Sequence, residues 1–274
     1  MELEKIKSVK PFLRWAGGKT WLIKHLSNFL PKQGFNNYHE PFLGGGSVFF
    51  HLKPPKAYLS DLNKELIDTY EQVKTNVESV IVELSKFENN EKHYYDIRNE
   101  NYSDEAKRAA KFIFLNQTSF NGIYRVNLKG VYNVPYGYRS TNYFNPENLR
   151  LVSNALSNVE LFHADFNSTI DNINENDLVF LDPPYTVTHN NNGFIKYNKK
   201  LFDLDSQFAL SKYIDEIKNK GAYYILTNAA HEQVEVIFKK DNDRSQELKR
   251  ASLIGGKKAK RGRYAELIIT NILS

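Results

Sequence analysis

Asp182-Pro183-Pro184-Tyr185 follows directly on an uninterrupted apolar run, Leu178-Val179-Phe180-Leu181. A short apolar run halted by proline reads as a buried strand with an abrupt end. The two prolines fix φ and remove two backbone N–H donors, so the turn is stiff and its carbonyls stay free to accept. A carboxylate and a carbonyl on one rigid turn can accept both protons of an exocyclic amino group. Tyr185 adds an aromatic face on which a planar base can stack. Taken alone, the four residues are equally a proline-rich loop with an ordinary strand-end Asp.

Two glycine loops lie upstream. In Tyr38-His39-Glu40-Pro41-Phe42-Leu43-Gly44-Gly45-Gly46-Ser47, a short strand runs through a glycine turn into a helix starting near Val48-Phe49-Phe50. That geometry places a ligand over a strand's carboxyl end and a helix N-terminus, with no Cβ to keep the backbone away. The dinucleotide fingerprint G-x-G-x-x-G fails, because Phe49 stands where its third glycine belongs. A second short run, Ala57-Tyr58-Leu59, ends in Ser60-Asp61, where an acidic residue usually grips a ribose diol. A nucleoside-like cofactor without a diphosphate fits both features; the glycines by themselves are equally structural. The first loop, Phe12-Leu13-Arg14-Trp15-Ala16-Gly17-Gly18-Lys19-Thr20, is not a phosphate loop, since Leu13 occupies the first glycine's place. It reads as a wall of a small-molecule site or as a plain helix entry with a solvent-exposed Lys19.

In this order, the Phe12–Lys19 loop, the Glu40–Ser47 loop, Asp61 and the Asp182–Tyr185 turn resemble the Dam-type (class D12, α group) DNA adenine-N6 methyltransferases. Similarity also covers Phe120-Asn121-Gly122-Ile123-Tyr124-Arg125, Asn133-Val134-Pro135-Tyr136-Gly137, Ala164-Asp165-Phe166 and the segment from Arg261 to Asn271. The resemblance implies S-adenosylmethionine as cofactor, bordered by Trp15, Lys19, Phe42 and Asp182. Gly44 and Gly46 would approach its methionine part, Asp61 its ribose, and Asp165 its adenine with Phe166 packing on the ring. Asp182 and the Pro183 carbonyl would accept the N6 protons of a flipped-out adenine, and Tyr185 would stack on it. Double-stranded DNA is the implied substrate and GATC the implied site. A cognate restriction endonuclease encoded alongside is a partner the resemblance allows. The family comparison also makes Asp rather than Ser before Pro-Pro-Tyr favour adenine over cytosine N4. Two rivals stay open at this point: cytosine-N4 or RNA methylation on the same fold, and a catalytically inactive DNA-binding relative.

Sequence recognition is expected in the segment after Asn116. Arg125 is a planar fork suited to guanine O6 and N7, Phe120 could wedge into the stack, and Asn121 could contact base or phosphate. One of Phe120 and Tyr124 is expected to pack inside instead. Phe120 stands where close relatives often carry tyrosine, and Arg14 where a lysine can reach the outer base pair. Lys257, Lys258, Lys260, Arg261 and Arg263 fall within seven residues beside glycines, a basic loop able to follow a phosphate backbone or simply a solvated one. A net charge of +5 suits a polyanionic partner. Zero Cys excludes disulfides, a thiolate metal site and a Cys nucleophile. The seven His show no ligand spacing, so no metal is expected. No apolar span approaches membrane length and no leader pattern opens the chain, so a soluble, cytoplasmic protein is expected.

Positioning these residues calls for an α/β fold, a Rossmann-like methyltransferase sheet with helices on both faces. Expected strands include Val159–His163, Leu178–Leu181, Tyr223–Leu226 and Glu266–Thr270, with helices over Trp21–Leu30 and about Asp205–Lys218. The 274 residues divide into a catalytic domain, 1–62 plus 156–274, and an inserted target-recognition domain, 63–155. Apolar residues from Leu66 to Phe87 recur at threes and fours, predicting one long amphipathic helix. Ser103 is expected to cap the next helix, with Asp104 and Glu105 in its first turn.

Overall fold

The computed structural model describes residues 8–127, 130–140, 142–185, 202–251 and 263–273. The architecture is α/β: a seven-stranded mixed sheet in the order β3-β2-β1-β4-β5-β7-β6. The strands are β1 (Tyr38–Glu40), β2 (Ala57–Asp61), β3 (Val159–His163), β4 (Leu178–Leu181), β5 (Tyr223–Ala229), β6 (Arg244–Ala251) and β7 (Arg263–Thr270). β1 pairs parallel with β2 and β4, and β4 parallel with β5, whereas β7 runs antiparallel between β5 and β6. Strand order reverses between β1 and β4. The carboxyl ends of those two strands, at Glu40 and Leu181, therefore flank the topological switch point where open α/β sheets bind ligands.

The helices are α1 (Ser47–Leu52), α2 (Lys64–Thr75), α3 (Val77–Ser85), α4 (Glu91–Asn99), α5 (Glu105–Thr118), α6 (Pro146–Ala155), α7 (Leu204–Asn219) and α8 (Glu232–Phe238). One face of the sheet buries Val179, Leu181, Tyr224, Leu226, Leu267 and Ile269 against Leu210, Ile214 and Ile217 of α7 and Phe238 of α8. By strand alternation the opposite face carries Glu40, Asp182, Thr227 and Glu266. No helix among the described residues is long and apolar enough to cross a membrane.

Four expectations change in the structure. The long helix is two, broken at Asn76 (φ −142°, ψ 40°), because both halves turn their apolar stripes onto the same helix, α5, and the period survives the kink. The cap of α5 is Asp104, one residue later than Ser103; its side chain accepts from the Lys107 amide at 2.7 Å. The stretch Ile23–Phe29 winds as a 3-10 helix, short and ended at an extended Leu30 before Pro31. β6 was not expected at all: Arg-Ser-Gln-Glu-Leu-Lys-Arg-Ala has no apolar alternation, which is how an edge strand avoids pairing with other chains.

The chain forms two compact units. The first comprises Met1–Thr20, Gly44–Pro55 and Asp61–His163; the second comprises Trp21–Leu43, Lys56–Ser60 and Ala164–Ser274. The unit that holds residues 63–155 thus also takes in both glycine segments that follow Leu13 and Leu43.

Candidate active site

In the second unit, a hydroxyl of β5 and a carboxylate of β7 fasten the turn after β4. Thr227 of β5 donates its Oγ1 hydrogen to Asp182 Oδ1 at 2.9 Å. The Tyr185 phenol donates to Glu266 Oε2 of β7 at 2.5 Å. Pro183 is buried, while Asp182, Pro184 and Tyr185 are partly exposed. Burial, then the charges of Asp182 and Glu266, hold the Tyr185 phenol well above its ordinary pKa, so it stays a donor. On the neighbouring strand Tyr38 donates to Glu40 Oε2 at 2.8 Å, and its phenol is likewise raised by burial, then by Glu40, with Asp182 adding to it. Both Glu40 and Glu266 are buried. Acceptors therefore gather on the sheet face and strand ends beside the switch point, where an amino group can be gripped.

Elsewhere in this unit Phe42 lies 5.4 Å from Phe166 and 6.1 Å from Phe202, ring centre to ring centre. Phe166 is buried, packed edge-on against Tyr213, so its ring is largely committed to the core. Phe42, partly exposed, is the ring of the pair with surface to offer. Asp165 caps the short 3-10 helix Phe166–Asn172, its Oδ1 accepting from the Asn167 amide at 3.0 Å and side chain at 2.7 Å.

In the first unit the two glycine loops interlock. Asp61 Oδ2 accepts from the Gly44 amide at 3.0 Å and Oδ1 from the Asn63 amide at 2.9 Å. Desolvation raises the Asp61 pKa, opposed by those amides. Gly44 has φ +48°, and a Cβ there would lie 2.6 Å from Trp15 Cδ1. Gly46 is the N-cap of α1, and Ser47 Oγ accepts the Lys19 amide at 3.1 Å. Lys19 is not the solvent-exposed lysine of the simpler reading. It is 3% exposed, and its ammonium donates to the Gly17 carbonyl at 2.6 Å.

The same unit links that wall to the recognition segment. Trp15 stacks on Tyr124 at 5.8 Å and 21°. Tyr124 also packs near Phe112 and Tyr132 and donates to Glu65 at 2.8 Å. Of the pair considered above, Tyr124 is thus the packed ring and Phe120, 52% exposed, the presented one. Asn121 is exposed and left-handed (φ 56°). Arg14 lies under this loop: its Nη1 approaches the carbonyls of Gln117 and Ser119, and Asn116 clasps its backbone N–H and C=O at 2.7 Å each. Arg125 is exposed, with Nε donating to Asn133 Oδ1 at 2.8 Å and Nη2 to the Asn133 carbonyl at 3.2 Å. That uses one edge of the guanidinium and leaves the end-on edge as a fork.

Thr227, Glu266 and Asn133 thus hold partners in place, a role that sequence reasoning did not assign them. One of them had a visible signal: Glu266 is a lone charge opening an apolar run, Leu267-Ile268-Ile269. Lys257, Lys258 and Lys260 lie outside the described residues. Among the described residues, no cluster of His, Cys, Asp or Glu is arranged to hold a metal.

Comparison with known proteins agrees with this geometry. The family model for D12 class N6 adenine-specific DNA methyltransferases matches residues 15–252. The chain is 34% identical to the type II methyltransferase M1.LlaDCHI of Lactococcus lactis, covering 98% of both chains. It is 37% identical to the type II methyltransferase M.MjaIII of Methanocaldococcus jannaschii, over 96% of this chain and 99% of that one. A DNA adenine methylase of Vibrio cholerae is 33% identical over 81% and 82% of the two chains. With the family match taking in the glycines of both loops and the Asp-Pro-Pro-Tyr turn, the chain belongs to the D12 class of N6 adenine-specific DNA methyltransferases.

Proposed function

We propose that this methyltransferase acts on adenine N6 within GATC in double-stranded DNA, on a base flipped out of the helix, with S-adenosylmethionine as donor. The observation that carries the reading is the fastened turn after β4, with Asp182 held by Thr227 and Tyr185 by Glu266. A base in a duplex cannot be reached at N6 by such a turn, so it must be extruded at a cost of a few kcal/mol. Asp182 and the Pro183 carbonyl accept the two N6 protons, drawing the nitrogen lone pair out of the ring. Tyr185 stacks on the base. Asp182 need not be a strong base beforehand, since the amine turns acidic only on methylation. Positioning and fixed charge supply most of the acceleration.

For the cofactor, the residues fit: with no Cβ at Gly44, Trp15 packs directly on the glycine loop, and Asp61 is fixed by backbone amides with lone pairs to spare. S-adenosylmethionine, when bound, supplies an electrophilic methyl group. Trp15, Lys19, Gly44, Gly46 and Asp61 are the residues assigned to it in the first unit. Phe42 and Asp165, with Phe166 backing Phe42, are assigned in the second. Residues 63–155 serve as the target-recognition domain, Arg125 reading guanine, Phe120 and Asn121 entering or bordering the stack, and Arg14 supporting their loop. Lys257, Lys258 and Lys260 hold phosphates. The type II relatives support a role beside a restriction endonuclease.

Mapping methylated adenines in DNA from a host expressing this chain alone tests site and base together. Methylation confined to GATC adenines is expected; a different motif would revise the site. Asp182→Ala should lower turnover by several orders of magnitude with DNA binding intact, and a variant keeping a tenth of wild-type transfer would refute the role. With 2-aminopurine at the target position, fluorescence should rise on binding, and an unchanged signal together with a stacked base in a crystal structure would exclude flipping.

A further inference from the structure

We infer that Glu266 is a positioning residue for methyl transfer, acting through the Tyr185 hydroxyl to fix the ring on which the base stacks. The inference rests on the proposed role of the turn. Glu266 sits on β7 opposite Ala229 of β5, two residues from Thr227, and its side chain points away from the apolar cluster that takes Leu267 and Ile269. At 2% exposure the carboxylate is costly to bury, and an apolar residue would serve the sheet better. There the carboxylate accepts the phenol of Tyr185 at 2.5 Å. A ring on a turn can swing about χ1 and χ2. A charge-assisted hydrogen bond from its far end, to a strand that does not belong to the turn, removes that freedom. Thr227 of β5 applies the same device to Asp182 and also bonds the Tyr185 phenol, so the amino-group acceptor and the stacking platform are tied to strands outside the turn.

The test is a double-mutant cycle on single-turnover methyl transfer with saturating DNA and cofactor. Tyr185→Phe keeps the ring and deletes only the hydroxyl; Glu266→Ala deletes its acceptor; Glu266→Gln keeps an acceptor oxygen. Tyr185→Phe and Glu266→Ala should each slow transfer about tenfold to a hundredfold, the range for losing one hydrogen bond to a charged group. The double variant should be no slower than the slower single, within about twofold, because both changes cut the same link. Glu266→Gln should recover most of the rate, and affinities for DNA and cofactor should hold within a few-fold throughout. In 2-aminopurine duplexes both damaging variants should flip the base but show a broader spread of fluorescence lifetimes.

Multiplicative losses in the double variant would overturn the inference. So would wild-type transfer by Tyr185→Phe, an outcome that needs no folded Glu266→Ala protein. Asp182→Ala, assayed beside them, separates the two levels. If it stays active, the reading of the turn fails. If it is inactive while Tyr185→Phe is unimpaired, only the assignment to Glu266 fails.

Discussion

Gly44 shows what one residue must satisfy for the first unit's site to exist. Its φ of +48° already strains an L side chain, and the added methyl would come within 2.6 Å of Trp15 Cδ1 and 2.8 Å of Nε1. Its amide is the donor that fixes Asp61, and its carbonyl accepts from Tyr70 at 3.2 Å. Gly44→Ala should therefore push Trp15 off its stack on Tyr124 and tilt the Asp61 carboxylate. The expected cost is about 1–3 kcal/mol in stability and more than tenfold in cofactor affinity, read by thermal melts and isothermal titration. Unchanged affinity would detach Gly44 from cofactor binding. At this scale the sequence pointed to candidates where residue type is dictated by chemistry, as at Asp182, Tyr185, Gly44 and Asp61, whose roles remain those proposed above. It said little of Thr227 or Asn133, because a hydroxyl or amide that orients another side chain has no distinctive spacing. Lys19 was visible as a candidate but not its burial, which depends on Ser47 across the loop interlock.

Among the elements, the join of β1 to β4 decides how the turn is presented. Asp177, just before β4, accepts from the Asn37 amide and side chain at 2.9 and 3.0 Å. It also accepts from the Asn174 amide at 2.9 Å and bonds His39 Nε2 of β1 at 2.8 Å. Burial alone would raise this carboxyl; the His39 and amide hydrogen bonds more than offset it and hold the pKa below its ordinary 3.8. A carboxylate lowered in the folded state stabilises above its unfolded pKa, and that gain is lost as pH falls through the folded value. Asp177→Ala should cost about 1–3 kcal/mol or more near neutrality, because the buried His39 Nε2 and three N–H donors from Asn37 and Asn174 lose their acceptor. The gap in melting temperature between wild type and Asp177→Asn should be largest at pH 6–7 and shrink below about pH 4. A gap independent of pH would show that the carboxylate's charge is immaterial. The strands β2, β4 and β5 were legible because buried parallel strands are short apolar runs bounded by turn residues. The exceptions have common physics: a polar edge strand and a kink between two helices on one partner both leave apolar periodicity uninformative.

For the whole molecule, affinity and specificity for DNA should separate by residue. A net charge of +5, with five basic residues between Lys257 and Arg263, supplies attraction that is blind to sequence and weakened by salt. Arg125 is different in kind. Asn133 holds its Nε and Nη2 at 2.8 and 3.2 Å, so in the proposed role the remaining edge of the fork would be oriented in advance and would lose little entropy on gripping a base. Arg125→Ala should therefore cost roughly 1–3 kcal/mol of discrimination at one guanine, with a small change in binding to random DNA. Asn133→Ala should give a weaker form of the same defect, since the fork survives but is no longer aimed. Lys258→Ala should instead weaken binding to every sequence and lower the slope of log K against log salt by about one unit. Competition titrations of specific against random duplexes at several salt concentrations measure both quantities in one experiment. Equal losses on specific and random DNA for Arg125→Ala, with a salt slope reduced as for Lys258→Ala, would make Arg125 a phosphate contact. The proposed base reading would then pass to other side chains, with the exposed Phe120 and Asn121 the next to replace.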